Sequence, residues 1–262
     1  MLENRKPYDF PTEPMEQAYD QYTAEDFEVW KILYDRQMEV LPGRASEAYF
    51  AGLDICGFSP DEIPHVETVN EHLRSETGWS MFIVPGLIAD KPFFEFLANK
   101  QFPVTTWLRK KEELEYLEEP DMFHDVFGHV PLLSKQDFVD FIQSLAEVAL
   151  RHIDDPDAIE LMSRLYWFTV EFGLIRERGD LRIYGAGIMS SSGESVYSVE
   201  DESVPRHDFD VRHIFRTPYY KHDFQKQYFV IDGYEQLYRC TDDIEPILKE
   251  ELARGVSQLS DS

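Results

Sequence analysis

The stretch EPDMFHDVFGHVPLL, which runs from Glu119 to Leu133, sets two histidines, His124 and His129, among aromatic and acidic side chains. In a regular α-helix, side chains five positions apart lie about 140° apart around the axis. Such a helix cannot bring both imidazoles to one metal ion. A π-bulge, or unwinding near Gly128 ahead of a proline, would bring them together. The sequence therefore predicts one of these two distortions.

A second stretch, YWFTVEFG, carries Glu171 within an otherwise apolar helical pattern. A buried glutamate needs a cation or a hydrogen-bonding partner. On this segment alone, a salt bridge to Arg164 or Arg176 is the simpler explanation. Together with His124 and His129, however, Glu171 completes two imidazoles and one carboxylate. That ligand set is typical of non-haem Fe(II), and it also suits zinc with one open position.

The histidine spacing differs from the zinc-protease motif H-E-x-x-H, whose histidines are four apart with a glutamate base between them. Here Asp125 follows His124, in the place of that glutamate. A zinc hydrolase with Asp125 as its base is therefore one alternative. A non-enzymatic acidic binding protein, in which the histidines are structural, is a second.

A third stretch, YGAGIMSSSGE, joins glycines to serines between Tyr184 and Glu194. Glycines let two backbones approach closely. A serine hydroxyl can orient a metal-binding histidine through the ring nitrogen that does not bind the metal. Ordinary loops have a similar composition, so this stretch carries no function by itself.

Composition restricts the class of protein. The 262 residues are 43% hydrophobic and 14% aromatic, which is enough apolar surface for a folded core. The net charge is −26, and a field of that sign repels nucleic acids and anionic membrane surfaces. The two cysteines form no C-x-x-C pair, and no apolar run has the length of a membrane span or an export signal. We expect a cytoplasmic protein that binds neither nucleic acid nor membrane.

The chain is expected to form one domain over residues 21–250. Three prolines in residues 1–20 predict an extended N-terminal arm, and residues 251–262 are expected to form a C-terminal tail. We find no internal repeat and no long linker.

Helical patterns dominate this domain. One begins after Thr23, a predicted N-cap; a second covers residues 135–152, with a capping box at Ser134; a third covers residues 157–175. Short strands are predicted at residues 104–108, 182–184 and 228–231, and an acidic surface loop or edge hairpin at residues 194–210. The predicted fold class is mainly α with a small β component.

Together the three stretches resemble the catalytic domain of the pterin-dependent aromatic amino acid hydroxylases, and most closely its short bacterial members that act on phenylalanine. They occur in that family's order and approximate spacing, and the likeness covers roughly residues 20 to 235. It implies that family's catalytic fold, non-haem Fe(II), tetrahydrobiopterin and O₂, with L-phenylalanine hydroxylated at the para carbon to L-tyrosine. Another aromatic amino acid, or another ring position, stays open.

The resemblance also implies roles for individual residues. It makes the iron ligands His124, His129 and Glu171, and it gives a catalytic part to Glu171, Ser190 and Tyr166. It assigns substrate binding to Arg109, Pro120, Trp167 and Ser190, and pterin binding to Gly86, Leu87, Ile88, Phe93 and Asp125. Glu194 matches a position that lies around the metal ligands but does not itself bind the metal. Without the resemblance, the basic run that starts at Arg109 would be interpreted as a surface patch.

Some positions depart from the family's animal members. Leu117 stands where those proteins have a threonine that helps to hold the substrate, and Glu118 where they have proline. Trp167 is similar to phenylalanine and tyrosine hydroxylases, whereas tryptophan hydroxylases have phenylalanine there. The sequence also lacks the regulatory and tetramerisation segments of animal relatives, which predicts an unregulated monomer.

Overall fold

The computed structural model of the chain describes residues 15–114, 119–221 and 223–256. Eleven α-helices lie within these residues: α1 (Ala24–Val40), α2 (Glu47–Cys56), α3 (Val66–Glu76), α4 (Asp90–Ala98), α5 (Gln136–Arg151), α6 (Pro156–Tyr166), α7 (Ala186–Met189), α8 (Ser192–Glu200), α9 (Val211–Phe215), α10 (Tyr234–Arg239) and α11 (Thr241–Arg254). Two further segments are π-helical, the first at Phe123–His129 and the second at Trp167–Glu171. Short 3-10 turns occur at Tyr19–Gln21, Lys111–Glu113 and Val130–Ser134.

Six short strands form two small sheets. The strands are β1 (Ser80–Ile83), β2 (Gln101–Val104), β3 (Gly173–Glu177), β4 (Asp180–Ile183), β5 (Arg206–Asp208) and β6 (Tyr228–Ile231). β1 and β2 pair in parallel. The second sheet has the order β4-β3-β6-β5, in which β3 is antiparallel to β4 and parallel to β6. The expected fold class, mainly α with a small β component, is confirmed.

Helix α1 begins as the sequence predicts. The Thr23 hydroxyl accepts a hydrogen bond from the backbone N–H of Asp26 at 3.3 Å, and the Asp26 carboxylate accepts one from the Thr23 N–H at 2.7 Å. This reciprocal pair satisfies two donors that a helix start would otherwise leave unpaired.

The buried face of α1 supports the first π segment. Trp30 packs edge-on against Phe123 at a ring distance of 5.6 Å, and Tyr34 packs against Phe127 at 5.5 Å. Phe123 and Phe127 stack on each other at 4.5 Å. The segment that carries both histidines is therefore held from behind by large apolar contacts.

Helix α5 carries the predicted apolar stripe and begins within one residue of its predicted start, but the cap predicted at Ser134 is wrong. Phe138, Ile142 and Leu145 are buried on its inner face. Ser134 does not cap the helix, because its hydroxyl donates to the carbonyl of Pro131 at 2.6 Å and closes the preceding 3-10 turn. The helix begins two residues later, at Gln136.

The helix predicted over residues 157–175 ends earlier. α6 stops at Tyr166, the second π segment follows, and β3 begins at Gly173. The apolar periodicity continues across these changes because both the π turn and the strand are buried. A buried strand and a buried helix have similar composition, so the sequence pattern missed the boundary.

The strand predictions have mixed outcomes. The strand at Tyr228–Ile231 is confirmed, and the one predicted at residues 182–184 corresponds to β4. The strand predicted at residues 104–108 ends at Val104, because the N–H of Thr105 turns to a side chain instead of a neighbouring strand. Residues 194–210 are a loop or hairpin only in part, since their first half lies in α8 and their second half includes the edge strand β5.

Among the described residues, no helix is both long enough and apolar enough to span a bilayer. The outer parts of the predicted arm and tail, residues 1–14 and 257–262, lie outside the described residues.

Candidate active site

His124 and His129 lie on the first π segment. A π turn hydrogen-bonds residue i to i+5, so positions five apart come to the same side. The two Nε2 atoms are 3.3 Å apart. The predicted distortion is confirmed, and it takes the π form.

Glu171 joins the two histidines from the last position of the second π segment. One of its carboxylate oxygens lies 3.2 Å from Nε2 of His129, and the other lies 3.6 Å from Nε2 of His124. A ligand atom from each of the three residues lies within 4.8 Å of the other two. Two imidazoles and a carboxylate thus face one point, which is an arrangement for binding a metal ion.

Ser190 orients the His124 ring. The Ser190 hydroxyl donates to the carbonyl of Ala186 at 3.0 Å, and its oxygen lies 2.9 Å from Nδ1 of His124. Because the hydroxyl hydrogen is already used, the Ser190 oxygen accepts from the Nδ1–H of His124. Nε2 then carries the lone pair that a metal ion needs.

The charge states of this cluster suit a cation. Burial lowers the pKa of His124 to about 4, more than the Glu171 carboxylate raises it, so the imidazole is neutral at pH 7. Burial works to raise the pKa of Glu171, but His129, His124 and a hydrogen bond from Tyr166 hold it below its ordinary value. Glu171 is therefore ionised, between neutral imidazole and a tyrosine hydroxyl.

A salt bridge from Glu171 to a neighbouring arginine is ruled out. Arg164 pairs with Glu160 at 3.0 Å, and Arg176 pairs with Asp208 at 2.6 Å. The simpler interpretation of a lone carboxylate in this apolar segment is therefore wrong.

The glycines of the third stretch allow α7 to lie against the second π segment. A Cβ atom at Gly185 would lie 2.4 Å from the carbonyl oxygen of Glu171, and one at Gly187 would lie 2.7 Å from the ring of Phe172. Real Cβ atoms do not approach other atoms so closely. The glycines thus permit the backbone approach that brings Ser190 to His124.

Arg109 is buried at the rim of this site, not on a surface patch. Its Nε and Nη2 donate to the two carboxylate oxygens of Asp121, each at 2.9 Å. Asp121 also accepts from the backbone N–H of His124 at 3.1 Å. One buried carboxylate thus connects the arginine to the metal-binding segment, and the bidentate contact fixes the plane of the guanidinium.

Trp167 begins the second π segment, four residues before Glu171. Its ring packs against Phe172 at 4.8 Å and against Tyr219 at 4.6 Å. Pro120 is half-buried immediately before Asp121. Leu117 and Glu118, which depart from animal sequences, lie outside the described residues.

Four of the residues matched to pterin binding lie in the connection between β1 and α4 and in the first turn of α4. Gly86, Leu87 and Ile88 form the connection between β1 and α4, where Leu87 is 51% exposed. The ring of Phe93, in the first turn of α4, meets the ring of Tyr166 edge-on at 5.3 Å. Since Tyr166 also bonds to Glu171, it is the one residue between Phe93 and that candidate ligand.

The buried Asp125 carboxylate is held by Thr105, the residue that follows β2. One of its carboxylate oxygens accepts from the N–H of Thr105 at 2.7 Å and from its hydroxyl at 2.8 Å. Burial raises the pKa of Asp125 to about 7, although the bonds from Thr105 work to lower it. Asp125 therefore ties the end of β2 to the first π segment.

Glu194 lies in the first turn of α8 and is buried. It accepts from the hydroxyl of Tyr228 at 2.7 Å and from the N–H of Gln225 at 3.1 Å. Burial raises its pKa to about 7 despite these two donors. The residue connects the helix that follows Ser190 to the start of β6.

The donor set fits a divalent transition metal. Three donor atoms converge, one imidazole is neutral and oriented, and the carboxylate is ionised. One carboxylate oxygen of Asp125, the base expected of a zinc hydrolase, is held by Thr105. The donor set suits both iron and zinc, and the comparisons below favour iron.

Two residues that position this site were missed from the sequence. Asp121 was visible only as an acid within the first stretch, and its partner Arg109 is twelve positions away. Thr105 had no signal at all, because its contact with Asp125 joins two elements that only the fold brings together. For Asp121, the one clue in the sequence was its place near the predicted ligand His124.

Comparison with known families agrees with this geometry. Residues 13–249 match the biopterin-dependent aromatic amino acid hydroxylase family. The phenylalanine-4-hydroxylase of Ralstonia nicotianae is 49% identical over 231 residues, which cover 88% of this chain and 74% of that protein. The phenylalanine-4-hydroxylase of Chromobacterium violaceum is 46% identical over 225 residues, covering 86% of this chain and 75% of that protein.

Solved structures show the same fold. The Chromobacterium violaceum phenylalanine hydroxylase with bound iron(III) and the oxidised cofactor 7,8-dihydrobiopterin superimposes with a TM-score of 0.87 and 44% identity, over 92% of this chain and 86% of that one. The catalytic fold expected from the sequence is confirmed.

Proposed function

The chain belongs to the biopterin-dependent aromatic amino acid hydroxylases, and we propose that it is a phenylalanine 4-monooxygenase. It hydroxylates L-phenylalanine to L-tyrosine with O₂ and tetrahydrobiopterin at a non-haem Fe(II). The observation that carries the proposal is the convergence of His124, His129 and Glu171 on one point.

These three residues hold the iron in the proposed site. His124, His129 and Glu171 would hold Fe(II) through two imidazoles and one carboxylate, a ligand set that leaves positions open for other ligands. Ser190 keeps Nε2 of His124 directed at the metal, and Tyr166 donates to Glu171 and favours its anionic form. These contacts support the catalytic parts that we assign to Glu171, Ser190 and Tyr166.

The pterin binds beside this cluster in the proposed site. Gly86, Leu87 and Ile88 would hold the edge of the pterin ring through their backbone, and Phe93 and Asp125 would contribute to holding the ring. The ring of Phe93 contacts the ring of Tyr166, and Tyr166 donates to the metal ligand Glu171. These two contacts join the proposed pterin site to the proposed metal site and support the assignment.

The amino acid substrate binds on the side of Arg109 in the proposed site. The guanidinium receives the substrate carboxylate, while Asp121 holds its other edge. The guanidinium is planar and presents two parallel N–H groups, which match the two oxygens of a carboxylate. Trp167 and Pro120 line the space for the aromatic ring, and the Ser190 hydroxyl lies between the substrate and His124.

When bound, iron and reduced pterin supply the activation of O₂ and the oxidation of the ring carbon. The protein's own residues supply placement. Arg109 anchors one end of the substrate and Trp167 the other, so that one ring carbon is held close to the metal. The apolar walls exclude water, which would divert the oxidant from the substrate.

Anaerobic reconstitution with Fe(II), followed by tetrahydrobiopterin, O₂ and L-phenylalanine, tests the proposal. The products are separated by chromatography, with a Zn(II)-loaded protein in parallel. We expect tyrosine with iron and none with zinc. Pterin oxidation without an amino acid product would replace phenylalanine by another substrate, and tyrosine hydroxylated at the meta position would change the assigned ring position. No pterin oxidation would refute the hydroxylase.

Three broader properties stay proposals. We propose that residues 21–250 are one catalytic domain flanked by the N-terminal arm and C-terminal tail, that the protein is a monomer, and that it works in the cytoplasm. Light scattering coupled to size-exclusion chromatography tests the monomer: a mass near 30.8 kDa is expected. Limited proteolysis tests the domain, and cell fractionation tests the location.

A further inference from the structure

The side chain of Gln225 is buried, with 1% of its surface exposed, and its amide is engaged at both ends. The amide oxygen accepts from the indole Nε1–H of Trp167 at 2.9 Å. The amide nitrogen donates to the carbonyl of Tyr220 at 2.6 Å. Because the oxygen and the nitrogen face an obligate donor and an obligate acceptor, only one orientation of the amide satisfies both.

The backbone of Gln225 is fixed as well. Its N–H donates to the carboxylate of Glu194 at 3.1 Å, and that carboxylate also accepts from Tyr228 at 2.7 Å. Glu194 lies on α8, four residues after Ser190, whose oxygen contacts His124. Gln225 is therefore attached to the same part of the fold that orients a metal ligand.

The rings around Trp167 leave one motion of the indole open. Phe172 and Tyr219 pack at 33° and 32° to the indole plane, and these contacts limit its tilt. Tilted apolar contacts do not by themselves fix small swings of the indole within its own plane, which changes in χ1 allow. The hydrogen bond to Gln225 does, because the indole has its single N–H on one edge.

We propose that Gln225 is a positioning residue for the aromatic ring of the substrate, and that it acts through the indole of Trp167. The inference rests on the proposed function, in which Trp167 borders the ring. Gln225 fixes the edge that the indole presents to the pocket, and the indole in turn fixes how far the substrate's para carbon lies from the metal. Gln225 itself does not touch the substrate.

The first test is kinetic. Gln225→Met keeps the length of the side chain and removes both amide bonds. We expect KM for phenylalanine to rise about fivefold and the tyrosine formed per pterin oxidised to fall by about half, a size typical of one coupled contact. In a Trp167→Phe background, the same substitution should change neither value by more than about twofold, since no indole N–H remains to be oriented.

The matched control is Gln143→Met. Gln143 is a half-buried glutamine whose amide donates to the backbone carbonyl of Ala98 at 3.1 Å, away from the site. We expect its KM for phenylalanine and its tyrosine yield to equal those of the wild type. Thermal unfolding of each variant shows whether it folds. Gln225→Asn is the second variant: it keeps an amide but ends one methylene short of Trp167.

The second test needs neither iron nor pterin. The chain has four tryptophans, and the indole ¹⁵N–¹H signal of Trp167 is identified by its absence from the Trp167→Phe variant. In Gln225→Met and Gln225→Asn we expect this signal to shift and its proton to exchange faster with water. In Gln143→Met it should keep its position.

Three results would contradict either the inference about Gln225 or the proposed function, and each result identifies which of the two fails. An unchanged indole signal in both Gln225 variants overturns the inference, whatever the kinetics. An equal loss from Gln225→Met with and without the indole N–H also overturns it, because Gln225 would then act by another route. A wild-type protein that forms no tyrosine overturns the proposed function. The indole signal then still tests whether Gln225 holds the indole of Trp167.

Discussion

Two buried glutamates, Glu171 and Glu251, have opposite surroundings. Glu251, on α11, is fully buried and accepts from Arg212 at 2.6 Å and from Arg216 at 2.7 Å, with Arg254 at 3.1 Å. Glu171 is surrounded by two imidazoles and a tyrosine hydroxyl.

The two glutamates differ in the groups that neutralise the negative charge of the carboxylate. Around Glu251 the protein supplies more than one permanent positive charge, so the cluster is complete as it stands. Around Glu171 it supplies imidazoles and a hydroxyl but no arginine or lysine, and a cation completes the cluster. A buried acid among arginines therefore fits a structural element, and a buried acid between two imidazoles fits a metal site.

The same substitution at both positions should separate the two roles. Glu171→Gln keeps the shape of the side chain and removes its charge. We expect Fe(II) affinity and tyrosine formation to fall by more than about a hundredfold, because even outer partners of a metal ligand contribute tenfold to a hundredfold. The urea midpoint of the metal-free protein should stay near that of the wild type. A fully active variant would remove Glu171 from the ligand set.

Glu251→Gln should have the reverse effect. It leaves Arg212 and Arg216 facing a neutral amide, and their side chains are 32% and 40% exposed, so water takes up part of the loss. We expect a loss of about 2 kcal/mol in the free energy of unfolding, measured in urea. Tyrosine formation by the folded variant should stay within about twofold of the wild type, as for substitutions away from a site. A large loss of activity without a loss of stability would contradict the comparison.

Arg109 and Asp121 form an intermediate case, a buried arginine and carboxylate at the site itself. Asp121→Asn removes the bidentate partner that fixes the guanidinium. We expect KM for phenylalanine to rise about tenfold, the equivalent of about 1.4 kcal/mol of binding, with a smaller change in kcat. Asp208→Asn, which alters the exposed pair with Arg176, is the matched control and should leave KM unchanged. Equal effects of both substitutions on KM would contradict the proposed role of Arg109.

The smallest effect is expected at a half-buried carboxylate near the surface. Glu245 pairs with Arg151 at 2.7 Å and Lys249 at 2.9 Å, and these partners, Arg151 foremost, lower its pKa to about 2. A pKa below the unfolded value means that the pair stabilises the fold above about pH 4.5 and loses this effect as the pH falls toward about 2. Solvent screening keeps the contribution below about 1 kcal/mol at pH 7.

Urea midpoints of the wild type and Glu245→Gln at pH 7 and pH 3.5 measure this contribution. The difference between the two proteins should shrink at the lower pH, and 1 M salt should reduce it at pH 7. Glu147→Gln, on the exposed face of α5, controls for the change in net charge. A difference that grows as the pH falls would contradict the sign of the pKa shift.

The pairing of His124 with His129 was predictable because it is local, whereas Glu171 was joined to them by its ligand type and by the family resemblance. The five-residue spacing of His124 and His129 requires a distorted helix whatever surrounds it, and an acid in an apolar run requires a partner. The start of α1 was predictable for the same reason, since the Thr23 cap involves only the next turn.

What was missed depends on contacts between distant segments. Asp121 and Thr105 matter through partners that only the fold brings near. The boundary after Tyr166 was missed because a π turn and a buried strand continue the apolar pattern of the helix. Ser134 was assigned to the wrong element because a serine closes a 3-10 turn as readily as it caps a helix.

The first π segment contacts the apolar core on one side and the metal-binding cluster on the other, and the residues that make these contacts have different spacings. On the core side, Phe123 and Phe127 are four residues apart and stack together against α1. On the opposite side, His124 and His129 are five residues apart and meet at one point. A regular α-helix aligns only the first spacing. The extra residue in the widened turn lets one short segment satisfy both. Deleting one residue between the histidines, with Phe127 kept in register, would therefore separate the folding role of this segment from its metal-binding role.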